Sequence, residues 1–187
     1  MILVVGLGNP GKQYELTRHN VGFMVLDGFL KKIDSVKKSI WEENAKFNSF
    51  VAKPTEKIIL VKPLSFMNAS GKPISSLINF YKIPVSNFFL VHDDVDLPLG
   101  KIKITVGKGS AGHKGVASVI QYLGNCDFVR IRVGVGKDKK TSTDKFVLLP
   151  FEERELAKLT RVVKKAIEAL EMILREGVEK TATRYNQ

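Results

Sequence analysis

Short apolar runs alternate along the chain with stretches in which apolar residues recur every three or four positions. That is the pattern of strands interleaved with helices. Ile2 to Val5, closed by Gly6, predicts a buried strand, and a long polar loop follows from Gly6 to Asn20. Val21, Met24, Val25, Phe29 and Ile33 fall at helical spacing and predict a helix reaching about Lys32. Phe47–Ala52 and Lys57–Val61 flank Pro54-Thr55-Glu56 and predict a hairpin. Ile74–Tyr81 predicts a helix that Pro84 stops. Phe88–His92 predicts a strand running straight into Asp93-Asp94-Val95-Asp96.

Beyond it, Lys101–Val106 alternates cation and apolar residue, as a strand with one wet, basic face would. Gly115–Leu123 predicts a short helix, and Phe128–Val135 alternates again with Arg130 and Arg132 on one face. From Glu152 to Glu176, Leu156, Leu159, Val163, Ile167, Leu170 and Leu174 form one apolar stripe, which predicts a long helix packed on the core. The fold expected is α/β: a single-domain sandwich over residues 1–187, with a central mixed, mostly parallel twisted sheet flanked by helices. The chain has no internal repeat, low-complexity tract or linker.

Composition narrows the partners. The 187 residues, 44% hydrophobic and 26% charged, can build one core and exclude a disordered tail. A net charge of +11 favours a polyanion, nucleic acid before an acidic membrane surface. Residues 100–145 hold ten Lys or Arg against three acids, and their interleaved Gly107, Gly109, Gly112 and Gly115 would let backbone approach a phosphate. The lone Cys126 excludes an intramolecular disulfide and any multi-cysteine zinc site. No run approaches the roughly 18 apolar residues that span a bilayer, and the start MILVVGLGNPG lacks the layout of a signal peptide. The cytoplasm is therefore the expected compartment.

Gly6-Leu7-Gly8-Asn9-Pro10-Gly11 matches G-x-G-x-x-G after a strand, yet a dinucleotide site would need a helix opening inside the motif. Pro10 and further polar loop stand there instead, so the glycines are read as shaping a sharp loop that presents Asn9. Asn9, His19-Asn20, Asn68 and His92-Asp93-Asp94 each fall where a strand gives way to a loop, the usual edge of an α/β crevice. Singly, each has a plain alternative: Asn20 and Asn68 as helix caps, the histidines as hydrogen-bonded neighbours, the acids as a solvated turn.

The order of the segments says more. Asn9-Pro10-Gly11, Tyr14, Thr17-Arg18-His19-Asn20 and Gly22, then Lys62-Pro63 with Phe66-Met67-Asn68-Ala69-Ser70-Gly71, then His92-Asp93-Asp94 with Asp96-Leu97-Pro98 and Gly100 resemble bacterial-type peptidyl-tRNA hydrolase. The resemblance continues through Gly109-Ser110-Ala111-Gly112-His113 and Arg130–Gly136 to the C-terminal helix. It implies hydrolysis of the ester between a peptide and the 3′-terminal ribose of tRNA, with no metal and no cofactor, by a monomer that binds tRNA and not membranes. It implies His19 as the general base, Asp93 as its carboxylate partner, Asn68 as the residue orienting water, and Asn9 as the reader of the substrate's peptide bond. Tyr14, Phe66 and Met67 match positions lining the substrate's 3′ end. The chemistry suits these residue types: only histidine titrates near neutrality unperturbed, a carboxamide both donates and accepts, and ring faces stack on bases.

Two positions depart from the family. Lys114 stands where an asparagine follows the glycine-rich histidine, and a charged lysine cannot accept a hydrogen bond. Thr105 stands where relatives carry a lysine that grips the tRNA 5′-phosphate together with the arginine matching Arg132. Lys103, two residues back on the same strand face, could supply that charge. Two other classes stay open: an RNA-binding member of the same fold with weak catalysis, which Lys114 favours, and a metal-dependent phosphoesterase using Asp93, Asp94 and Asp96.

Overall fold

Each run read as a strand joins one sheet. The computed structural model describes residues 1–34, 39–138 and 140–187; Lys139, counted in the basic stretch, lies outside them. Strands β1 (Ile2–Gly6), β2 (Glu42–Asn44), β3 (Ser49–Thr55), β4 (Ile58–Pro63), β5 (Phe88–Asp94), β6 (Ile102–Val106) and β7 (Val129–Gly134) lie in the order β2-β3-β4-β1-β5-β7-β6. The central four, β4-β1-β5-β7, are parallel, and antiparallel strands complete both edges. Helices α1 (Val21–Ile33), α2 (Gly71–Tyr81), α3 (Lys114–Leu123), α4 (Thr143–Phe146), α5 (Glu153–Glu176) and α6 (Val178–Tyr185) complete the chain.

Strand alternation builds two cores, one on each face of the sheet. Val4, Val91, Ile104, Ile131 and Val133 point toward α1 and α5, where Phe29, Ala166 and Leu170 meet them. Leu3, Val5, Leu90 and Ile59 point the other way, toward Ile74 and Leu77 of α2 and Val119 of α3. The site-bearing loops leave the carboxyl ends of the parallel strands, where β1 runs beside β5 in register Gly6↔Val91.

Local rules fix the helix ends. Glu152 and Glu155 form a capping box at the start of α5. α2 ends at Tyr81, as expected, but a local turn rather than Pro84 ends it. Lys82 turns left-handed at φ 50°, its amide bonding to Asn79 O, while Ile83 N bonds back to Ile78 O. Pro84 merely follows. Arg130 and Arg132 share one face of β7, as expected, but Arg130 is 2% exposed, and its guanidinium donates to Lys108 O (2.7 Å) and Gly109 O (2.9 Å). Its charge is spent pinning the glycine-rich loop from inside. β2 and α6 carry too few apolar positions to stand out in the sequence. Among the described residues no helix is long and apolar enough to cross a membrane.

Candidate active site

The loop after β1 is folded by glycines and asparagines. At Gly6 a Cβ would lie 2.4 Å from Gly22 O, and Gly11 takes φ 109°, so loop and α1 pack more closely than side chains allow. Two single turns, Lys12–Tyr14 and Arg18–Asn20, occupy the polar stretch, and α1 opens only at Val21. This is the layout that excludes a dinucleotide motif. Asn9 and Asn20 are locked together: Asn9 N donates to Asn20 Oδ1, and Asn20 Nδ2 donates to Asn9 O, both at 2.9 Å.

His19 is held from both sides. Its backbone amide donates to Val147 O, that of Arg18 donates to Leu149 O, and Thr17 bridges Pro150, so residues 17–19 are zipped to the segment after α4. Arg18 is buried with its guanidinium 4.4 Å from the centre of the Phe146 ring and 4.7 Å from that of Phe151, and it pairs with Glu155 at 2.8 Å. On the other side, His19 Nδ1 lies 2.8 Å from Asp93 Oδ1 at the end of β5.

That oxygen has a second partner, His113, whose Nε2 also lies 2.8 Å away. His113 caps α3: its Nδ1 accepts from Gly115 N (3.1 Å) and Val116 N (3.2 Å). A cap needs a lone pair on Nδ1, so the ring proton sits on Nε2 and is donated to Asp93. The third histidine, His92, sends Nδ1–H to Asp93 O at 2.7 Å and packs edge-on against His113, ring centres 4.7 Å apart. All three histidines of the chain thus bond to Asp93, two at its carboxylate and one at its backbone carbonyl. Burial alone would push that carboxyl up, but the charges and hydrogen bonds of His113 and His19 outweigh it and hold it well below the usual carboxylate range. Burial, with His113 adding to it, lowers His92 well below 6.5.

These groups line a pocket of about 270 Å³ bordered by His19, Asp93, His113, Arg132, Asp144 and Val147. Lys114 also lines it, its ammonium 2.7 Å from Asp144 Oδ2 across the rim, with both side chains exposed. Arg132 is fixed by Asp94, Nε to Oδ2 at 2.5 Å. Lys103 is exposed and directly opposite Arg132 in the β6–β7 ladder.

The second group of expected residues forms a cluster of its own. Asn9 Oδ1 accepts from Met67 N at 2.9 Å, anchoring the turn Met67–Ala69 that carries Asn68. Met67 is buried, with its sulfur 2.4 Å from where a Cβ on Gly115 would lie, so this turn packs against the start of α3 beside His113. Asn68 is exposed there and makes no side-chain hydrogen bond among the described residues. Tyr14 and Phe66 meet edge to face, ring centres 6.5 Å apart, and Phe66 is 58% exposed. With Oδ1 already accepting from a backbone amide, Nδ2 is the donor of Asn9 that no described residue takes up.

The acids considered for a metal do not converge. Asp94 is paired with Arg132 and accepts from Asp96 N, and Asp96 lies 3.5 Å from Lys137. Among the described residues, the trio close enough to hold an ion is His19, Asp93 and His113, with donor atoms within 4.8 Å of one another. Its 2.8 Å contacts are hydrogen bonds to a single oxygen, whereas zinc ligands sit ~2.0–2.2 Å from an ion between them. His113 and Arg18 are given no role by the sequence, while Asn20, expected at the crevice edge or as a helix cap, instead locks Asn9 and makes no cap bond to α1.

The sequence model of peptidyl-tRNA hydrolase matches residues 3–187. A peptidyl-tRNA hydrolase of Thermodesulfovibrio yellowstonii is 41% identical over 189 residues, covering both chains in full. One of a Thermoanaerobacter species is 43% identical over 189 residues, again covering both in full. Crystal structures of peptidyl-tRNA hydrolase from Acinetobacter baumannii superpose with TM-scores of 0.91, for an Arg119Gln mutant, and 0.89. Both are 26% identical and align with all of this chain and 94% of theirs.

Proposed function

Since the chain belongs to the peptidyl-tRNA hydrolase family and is a hydrolase of that kind, we propose that it cleaves the ester between peptide and tRNA with His19 as general base and Asp93 as its carboxylate partner. The observation that carries this reading is the 2.8 Å contact from His19 Nδ1 to Asp93 Oδ1 inside the pocket. With Nδ1–H donated to the carboxylate, Nε2 keeps its lone pair for a substrate water.

Water attacks the ester carbonyl carbon while its proton passes to His19 Nε2. The tetrahedral intermediate then expels the ribose 3′ oxygen, which takes that proton back, leaving free peptide acid and tRNA. Asp93 fixes the tautomer and stabilises the imidazolium between the two transfers. His113, by donating to the same oxygen, holds the carboxylate in place. Asn68 orients the water, and Asn9 Nδ2 donates to a carbonyl of the blocked aminoacyl group. Tyr14 and Phe66 offer ring faces to the 3′-terminal bases beside Met67. Lys103 and Arg132 supply cations for the tRNA 5′-phosphate, while Lys114 acts on the rim through Asp144.

Hydrolysis of N-acetyl-aminoacyl-tRNA with and without EDTA tests this reading. Equal rates are expected. Activity lost to EDTA and restored by a divalent ion would move the chemistry to a metal at His19, Asp93 and His113. Binding of tRNA with no release of the acyl group would favour the RNA-binding alternative.

A further inference from the structure

β6 is the last strand of its edge, paired on one side by β7 and open on the other. Such an edge leaves backbone N–H and C=O groups without a ladder. At Ile104, the middle of β6, the gap is filled by a side chain: Ile104 N donates to Asn186 Oδ1 at 2.7 Å, and Asn186 Nδ2 donates to Ile104 O at 2.9 Å. A carboxamide has the donor and acceptor of a peptide unit, so Asn186 stands in for one residue of a missing strand. It is delivered from 82 residues away by α6, whose last turn ties Asn186 N to Ala182 O and buries Tyr185.

We propose that Asn186 is a positioning residue for phosphate recognition, holding β6 so that Lys103 stays opposite Arg132. This rests on the reading that those two cations meet the 5′-phosphate of tRNA. Residues directly opposite in a ladder share a face, and Lys103↔Arg132 is such a pair. Like charges so placed repel, and Asp94 neutralises only the Arg132 side. Until an anion arrives, the repulsion pushes β6 outward. Arg132 is fixed by its ion pair, whereas Lys103 is fixed only through the strand it sits on. The two hydrogen bonds at the neighbouring residue oppose that push from the outer edge.

The test compares KM and kcat for N-acetyl-aminoacyl-tRNA with and without its 5′-phosphate, in the wild type, Lys103→Ala, Asn186→Ala and Asn186→Asp. The aspartate variant is close in shape and can accept from Ile104 N but cannot donate to Ile104 O, so it carries the test should Asn186→Ala fold poorly. The expected result is that both Asn186 variants shrink the KM advantage of the phosphorylated substrate by about three- to tenfold, the size of one weakened charge contact, with kcat held. Asn186→Gln should recover part of the advantage. If Lys103→Ala loses the advantage while both Asn186 variants keep it, the phosphate reading stands and the role of Asn186 falls. If Lys103→Ala also keeps it, the phosphate reading fails and this proposal with it. A merely structural role would lower the melting temperature and change KM equally for both substrates.

Discussion

Asp93 Oδ1 meets His19 Nδ1 at 2.8 Å in a buried position, at the end of a strand that β1 and β7 hold on both sides. Because the carboxylate accepts the hydrogen bond of Nδ1–H, the ring has one nitrogen committed and one free, and the committed one faces the protein. The orientation is set by backbone: β5 fixes Asp93, and the zipper from residues 17–19 to Val147, Leu149 and Pro150 fixes His19.

Replacing Asp93 by Asn keeps the shape and an Oδ1 that can accept from both imidazoles, but it removes the negative charge that would stabilise the imidazolium of His19. Turnover of N-acetyl-aminoacyl-tRNA should fall by about 10²–10⁴-fold with KM little changed. Steady-state kinetics on folded protein checks this, and a loss under about tenfold would remove Asp93 from the mechanism.

Acid should destabilise the protein in two stages. His92 binds its proton less readily in the fold than at its ordinary 6.5. Its contribution is therefore complete above pH ~6.5 and is lost as pH falls toward the lowered folded value. The Asp93 carboxyl is also lowered by folding, so its contribution is complete above the unfolded value of about 4 and is lost as pH falls further. Melting temperatures from pH 8 to 3 should show both declines. His92→Gln should flatten the first and keep the second; an unchanged slope between pH 6.5 and 5 would mean that His92 is not its source.

Asn9→Asp retains an acceptor for Met67 N, so the turn carrying Asn68 should survive, but the Nδ2 donor disappears. Stability should change little while kcat/KM drops by about 10- to 100-fold, as when a directed hydrogen bond to substrate is replaced by an unpaired charge. Asn9→Ala, which also strips Met67 N of its buried partner, should lose about 1–3 kcal/mol of stability as well. Denaturant unfolding beside kinetics separates the two effects, and equal stability for both variants would contradict the anchoring role.

Gly22 lies in the first turn of α1, three residues after His19, and a Cβ there would lie 2.5 Å from Leu7 O and 2.6 Å from Val91 O. Gly22→Ala must push the helix off the sheet and should cost more than about 2 kcal/mol. At Gly109 a Cβ meets nothing within 4 Å, so Gly109→Ala should be neutral or slightly stabilising. Thermal unfolding of the pair decides it, and equal effects would refute the close-packing argument.

The fold was legible where the signal is local. Alternation in Lys101–Val106 and the stripe from Leu159 to Leu174 gave strand and helix because each periodicity mirrors the face it buries, whereas Leu156, counted at the head of that stripe, is 47% exposed. His19, Asp93 and Asn9 were legible because they sit in motifs at strand ends. What stayed hidden depends on distant partners. Arg18 reads as an exposed cation in a polar loop, and it is buried only because Phe146, Phe151 and Glu155, 137 residues on, close around it. Arg130 alternates correctly yet turns inward to carbonyls of Lys108 and Gly109. His113 was overlooked because histidine is not a usual helix cap, although its place between the glycine loop and α3 was the available clue.

The most direct test of the central claim is single-turnover hydrolysis of N-acetyl-aminoacyl-tRNA by His19→Ala, with tRNA binding and folding verified on the same sample. With His19 as the base, the cleavage rate should fall by about 10²–10⁴-fold while tRNA affinity is unchanged. A rate within about threefold of the wild type would contradict the assignment and place the proton transfer elsewhere in the pocket.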